Sequence, residues 1–79
     1  MENTAYVVSA MVGSSRMAVS VFTDDGTEEV MARAANSARR YQGRGWREVK
    51  LRMAHGKEEV ERAEMQVERI EDWASDYDL

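Results

Sequence analysis

This chain contains no cysteine and no proline, and it has only one histidine and one phenylalanine. Without cysteine there is no disulfide framework and no thiolate metal site. A small domain without disulfides fits a reducing cytosol, so the expected compartment is cytoplasmic. No proline-rich or Gly/Ser tract marks a linker, and the 79 residues read as one domain spanning 1–79. No internal repeat is visible. No apolar stretch approaches the roughly 20 residues that cross a bilayer. No basic segment followed by an apolar run marks a signal peptide. The expected partners therefore exclude membranes.

Large aliphatic side chains are also scarce. Leu, Ile, Val and Phe total thirteen. A chain this short buries only about 60% of its unfolded surface, so such a core is thin. Six Met, two Trp and three Tyr offset part of the deficit. Small domains often recover stability by self-association, and a homodimer is one expectation here.

What is present is strong periodicity. Ala5 to Val12 reads as a strand, Gly13-Ser14-Ser15 as a turn, and Arg16 to Thr23 as a second strand. The short turn makes them an antiparallel hairpin. Tyr6, Val8 and Val12 alternate with Val7 and Met11, so both faces are apolar. Such a sheet needs cover on both sides, from two helices or from one helix and a partner. Asp24-Asp25-Gly26-Thr27 leads into a helix, with Asp25 or Thr27 as the expected cap and Glu28 and Glu29 at the positive end of its dipole. Val30, Met31, Ala34, Ala38 and Tyr41 share one face, and Gly43 and Gly45 end the helix. Trp46 to Met53 reads as a third strand, with Val49, Leu51 and Met53 inward and Glu48, Lys50 and Arg52 outward.

From Lys57 a second helix carries Val60, Ala63, Val67, Ile70, Ala74 and Tyr77 at alternating spacings of three and four. Val60, Val67, Ile70 and Tyr77 form a seam that either packs in the core or pairs with a second copy. The fold class is thus α+β: a small single domain in the order strand, strand, helix, strand, helix. Its antiparallel three-stranded sheet is packed by helices and its long C-terminal helix is acidic.

Charge is distributed unevenly. Lys57 to Leu79 holds nine carboxylates against three basic side chains, whereas the first 56 residues hold six acids and eight bases. Glu64, Glu68, Asp72 and Asp76 stack at i, i+4, and Glu61 and Glu71 broaden that face. Each like-charge pair at this spacing costs about 0.2–0.5 kcal/mol. A basic partner would relieve the repulsion, and carboxylates about 5–6 Å apart along a rod resemble the phosphates of a nucleic-acid strand. The bland alternative is a solvated face screened by salt. Glu58 and Arg62 are spaced as a well-oriented ion pair. Trp73 beside the seam and Met65 on the acidic side are candidate anchors for an interface.

A second charged group runs the other way. Arg39, Arg40, Arg44 and Arg47 surround a glycine-flanked loop with Tyr41 and Trp46 interleaved. Arginine with aromatic residues can hold single-stranded nucleic acid by charge and stacking. The overall charge of -4 works against direct nucleic-acid binding, and pairing of these arginines with the acidic helix is the plainer reading. His55 stands alone beside a turn glycine, and nothing supplies a base and an orienting group to Ser14 or Ser15. Asp24-Asp25-Gly26 lacks the ligand spacing of a calcium loop. No catalytic residue, metal or cofactor is expected.

The order strand (Ala5–Val12), strand (Met17–Thr23), helix opened by Thr27-Glu28-Glu29 and strand (Trp46–Met53), in a small cysteine-free chain, resembles small phage-encoded anti-CRISPR proteins that inhibit type I effector complexes. The resemblance is one of pattern over residues 5–54, and no functional residue transfers by alignment. It implies a non-enzymatic inhibitor that docks on a basic ribonucleoprotein complex and blocks nucleic-acid capture. The expected contact residues are Glu61, Glu64, Glu68, Glu71, Asp72 and Asp76. Two other readings stand beside it: a dimeric regulatory or structural protein paired through the C-terminal seam, and a nucleic-acid-binding module using the arginine cluster.

Overall fold

The structure, a computed structural model, describes the backbone of residues 3–76 and the side chains of residues 3–70. Five elements follow in the order expected: β1 (Thr4–Val12), β2 (Ser15–Thr23), α1 (Glu28–Gly43), β3 (Arg47–His55) and α2 (Lys57–Asp76). The strands form one antiparallel sheet in the order β2-β1-β3, with β1 at the centre.

The hairpin turns in two residues, since Val12 pairs with Ser15. Gly13 has φ +63° and Ser14 a negative φ, the signature of a type II′ turn, which matches the twist of the flanking strands. Asp24 and Asp25 shape the approach to α1. Asp24 Oδ1 accepts from the Gly26 N–H at 2.9 Å, and Asp25 Oδ1 accepts from both the Thr27 N–H and its hydroxyl. Thr27 occupies the N-cap position, but neither it nor Asp25 bonds the first-turn amides. The expected cap is instead a closed Asp25–Thr27 turn. At the other end of α1 the Trp46 N–H reaches the Tyr41 carbonyl and the Gly45 N–H that of Gln42. With Gly45 at φ +89° this is a Schellman motif, so Gly45, not Gly43, is the residue that stops the helix.

Both faces of β1 are covered, one by each helix. Ala5 and Val7 pack with Ala18, Ala54 and the α2 residues Val60 and Ala63. Val8 and Ala10 face the other way, with Val19, Phe22, Val49 and the α1 residues Ala38 and Tyr41. Ile70, near the far end of α2, joins this second group. Among the described residues, half of the buried hydrophobic ones are alanines, which lets both helices approach the sheet closely and explains how so few large aliphatics suffice.

Two bulges interrupt the pairing of β1. On β2, Val8 pairs with Ser20 and Ser9 with Ala18, so Val19 is the extra residue. Side chains of both helices bond the backbone at this point. Tyr41 Oη donates to the Val19 carbonyl at 3.2 Å, and the Ala18 N–H donates to Gln66 Oε1 at 2.7 Å. On β3, Glu48 and Val49 stand opposite Ala10. Glu48 takes φ +48°, a left-handed conformation costing about 1 kcal/mol or more for a non-glycine residue. Arg16 clamps it, with Nη1 donating to the Glu48 carbonyl at 2.8 Å and to Ser9 Oγ at 3.0 Å, and Nη2 lying 3.8 Å from Glu48 Oε1.

The third strand corrects one expectation. Val49, Leu51 and Met53 do share the α1 side, and Lys50 and Arg52 the α2 side. Leu51 and Met53 nevertheless remain 39% and 37% exposed. Met31, expected on the buried face of α1, is 48% exposed. The reason is position: β3 is an edge strand, and α1 covers the middle of the sheet without reaching past that edge.

Removing the clamp should destabilise the domain. Arg16→Ala strands the buried Ser9 hydroxyl and the Glu48 carbonyl, and is expected to cost about 1–2 kcal/mol, roughly 5–10 °C in Tm. Glu48→Ala should cost less, because the carboxylate contact is long and exposed and the carbonyl survives. Thermal melts showing the reverse order would contradict this assignment. Asp25 gives a second test. The Thr27 hydroxyl, and after it the Thr27 N–H, hold its carboxyl below the ordinary carboxylate value. A lowered folded-state pKa favours folding above the unfolded value and loses that effect as pH falls through the folded value. Thr27→Ala should raise the Asp25 midpoint seen by NMR, and its stability deficit should be full at neutral pH and shrink on acidification.

Candidate partner-binding surface

The inner face of α2 is spent on the sheet. Val60, Ala63 and Ile70 are buried and Val67 half-buried. Val60, Val67 and Ile70 therefore serve the protein's own core, and pairing copies through them would uncover it. Tyr77 lies outside the described residues. Glu59 turns back at the start of α2, and its Oε2 accepts from the His55 N–H at 2.8 Å.

The outer face has two flanks at helical spacing. Glu61, Glu64 and Glu68 lie along one, Arg62 and Arg69 along the other, and all five are exposed. Met65 stands between the flanks and is 56% exposed. The spaced pair Glu58–Arg62 is not closed. Lys57 Nζ instead lies 3.9 Å from Glu61 Oε1, an exposed contact worth a few tenths of a kcal/mol or less. Among the described residues Glu64 and Glu68 meet no cation. The helix continues through Glu71, Asp72 and Asp76, whose side chains, like that of Trp73, lie outside the described ones. Arg62 and Arg69 are the part the sequence reading missed. Projecting residues 57–70 onto a helix would have separated them from the carboxylate column.

The arginine cluster is assembled at the opposite end of α1 from its acids. Arg39 donates to Asn36 Oδ1 at 3.3 Å and Arg47 Nη2 to the Gly13 carbonyl at 2.6 Å. Arg40 and Arg44 are exposed. Trp46 stands edge-on to Tyr41, with ring centroids 5.1 Å apart and planes at 88°. Between the hairpin turn and the α1–β3 loop this leaves an open cleft lined by Met11, Val12, Arg44, Trp46 and Arg47. None of the four arginines pairs with an α2 carboxylate among the described residues.

Among the described residues no group of three or more His, Cys, Asp or Glu side chains is placed to hold a metal ion, and no helix is long and apolar enough to cross a membrane. His55 and Ser14 are exposed and are not brought together. No family model, no curated protein and no solved structure matches the chain.

Proposed function

We propose that this protein is a non-enzymatic inhibitor that docks through the outer face of α2 on a basic, nucleic-acid-binding protein or ribonucleoprotein complex and blocks nucleic-acid capture. One observation carries the reading. Glu61, Glu64 and Glu68 are exposed on the outer face of a helix whose inner face packs on the sheet, and among the described residues their side chains meet no partner beyond the weak Lys57 contact. Their repulsion is a cost that a cationic partner would remove. Met65 supplies an apolar contact at the centre of the same face, and Glu71, Asp72 and Asp76 extend the column in sequence. The pattern resemblance to anti-CRISPR proteins makes a type I effector complex the first partner to try.

A second reading rests on a separate observation, the cleft beside Trp46, where two arginines flank a fixed aromatic ring. That arrangement suits a strand of single-stranded nucleic acid.

One experiment separates them. DNA capture by a type I effector complex is measured with wild-type protein and with a variant carrying Glu64→Lys, Glu68→Lys and Asp72→Lys. Loss of inhibition with unchanged circular dichroism, together with strong salt dependence of the wild-type effect, is expected. Full inhibition by the triple variant would overturn the proposal. Retention of a labelled single-stranded oligonucleotide by the pure protein at low salt, lost in Arg44→Ala/Arg47→Ala, would support the second reading instead.

A further inference from the structure

The two edges of the sheet are treated differently. The β2 edge is covered by α2, and its Ala18 N–H is taken by Gln66. The β3 edge has no such cover. Side chains tie its backbone only near the two ends, at Glu48 and His55, among the described residues. Between them Val49 to Ala54 presents an unpaired strand edge, which is a template for another strand.

Beside that edge lies an apolar stripe. Arg33 of α1 sits over Phe22 of β2, with Cζ 5.8 Å from the ring centroid. The flank of α1 bearing Arg33 therefore looks toward β2, and the other flank, bearing Met31 and Ala35, looks toward β3. Leu51 and Met53 share that side of the sheet. Among the described residues, three of the four exposed large hydrophobics, Met31, Leu51 and Met53, thus border one sheet edge.

The charges around the stripe say what fits it. Glu28 lies at one end of α1 on the flank of Met31 and Ala35, and Arg39 lies at the other end on that flank, whereas Glu29 and Arg40 share the flank of Arg33. A second copy laid antiparallel along β3 brings the acidic end of each α1 to the basic end of the other, with opposed helix dipoles. The geometry is consistent. Strands about 4.8 Å apart put β1 and its symmetry mate about 14 Å apart, since two β3 strands lie between them. Helices centred over those strands leave a gap that Met31, Leu51 and Met53 of both copies can fill. In the antiparallel register that sets Glu48 against the partner's Arg52, two such opposite-charge pairs flank the single contact between Lys50 and its own mate on the two-fold axis.

We infer that this chain forms a two-fold dimer by antiparallel pairing of β3 with its copy, giving a continuous six-stranded sheet with the two α1 helices side by side. The surface used is distinct from the outer face of α2, which stays open to a partner in both copies.

Sedimentation equilibrium tests this. The wild-type protein is expected at twice the 9.0 kDa of one chain. Leu51→Lys/Met53→Lys, at side chains already more than a third exposed, should remain folded by circular dichroism and weaken the dimer about tenfold or more. Glu28→Arg and Arg39→Glu should each weaken it alone, and an equimolar mixture of the two should recover a heterodimer, because the mixture restores opposite charges at both contacts. A wild-type monomer at every concentration, including one that instead binds an unrelated extended peptide at this edge, would overturn the inference. So would a Leu51→Lys/Met53→Lys dimer as tight as wild type, or single charge variants that weaken the dimer without recovering on mixing.

Discussion

Everything in this fold depends on burying β1 from both sides. Ala5, Val7, Val8 and Ala10 are completely buried, and neighbouring residues of this run face opposite helices. One short strand therefore organises two thin cores that neither helix could form alone. The two bulges beside it carry a matching requirement. A bulge frees backbone groups, and freed groups near the core need partners. Tyr41 reaches the β2 bulge from α1, Gln66 reaches it from α2, and Arg16 holds the β3 bulge from within the sheet. Each irregularity of the sheet is thus matched by at least one long polar side chain.

The element order and the β1–β2 hairpin were legible in the sequence because they rest on local chemistry, whereas the pairing of β3 with β1 was not assigned. Alternation of Tyr6, Val7 and Val8 announced a sheet covered on both sides, and Gly13-Ser14 announced the hairpin. The seam Val60, Ala63, Val67 and Ile70 announced which face of α2 would be buried, though the sequence left open whether a second copy or the protein's own sheet would cover it. What escaped notice depends on long-range placement. Nothing in Val49-Lys50-Leu51-Arg52-Met53 says that this strand lies at an edge, and alternation alone made Leu51 and Met53 look interior. Gln66 and Arg16 read as ordinary polar residues, because the amide and carbonyl groups they bond are brought to them only once the sheet forms. Asp25 and Thr27 are each good cap residues, and their bond to one another could not be told from a cap by residue type.

The same asymmetry governs the surfaces. The burial pattern of α2 leaves Glu61, Glu64 and Glu68 outside, and the sequence reading of a column through Glu64, Glu68, Asp72 and Asp76 passed over the arginine flank beside it. The arginines of the α1–β3 loop gather with Trp46 at one end of the sheet, while Glu28 and Glu29 stand at the far end of α1. Charge is therefore segregated by end and by face. Charge segregated in this way leaves three separate surfaces, which are the ones proposed above for a cationic partner, an anionic strand and a second copy.

Residue-resolved amide hydrogen exchange under native conditions tests the central claim, that β1 is the structure's last element to open. Val7, Val8, Ser9 and Ala10 should exchange more slowly than any amide of α1 or α2, and only through global unfolding. Exchange of these four amides as fast as those of the helices would contradict the account, because it would mean that one helix can leave the sheet without unfolding the other.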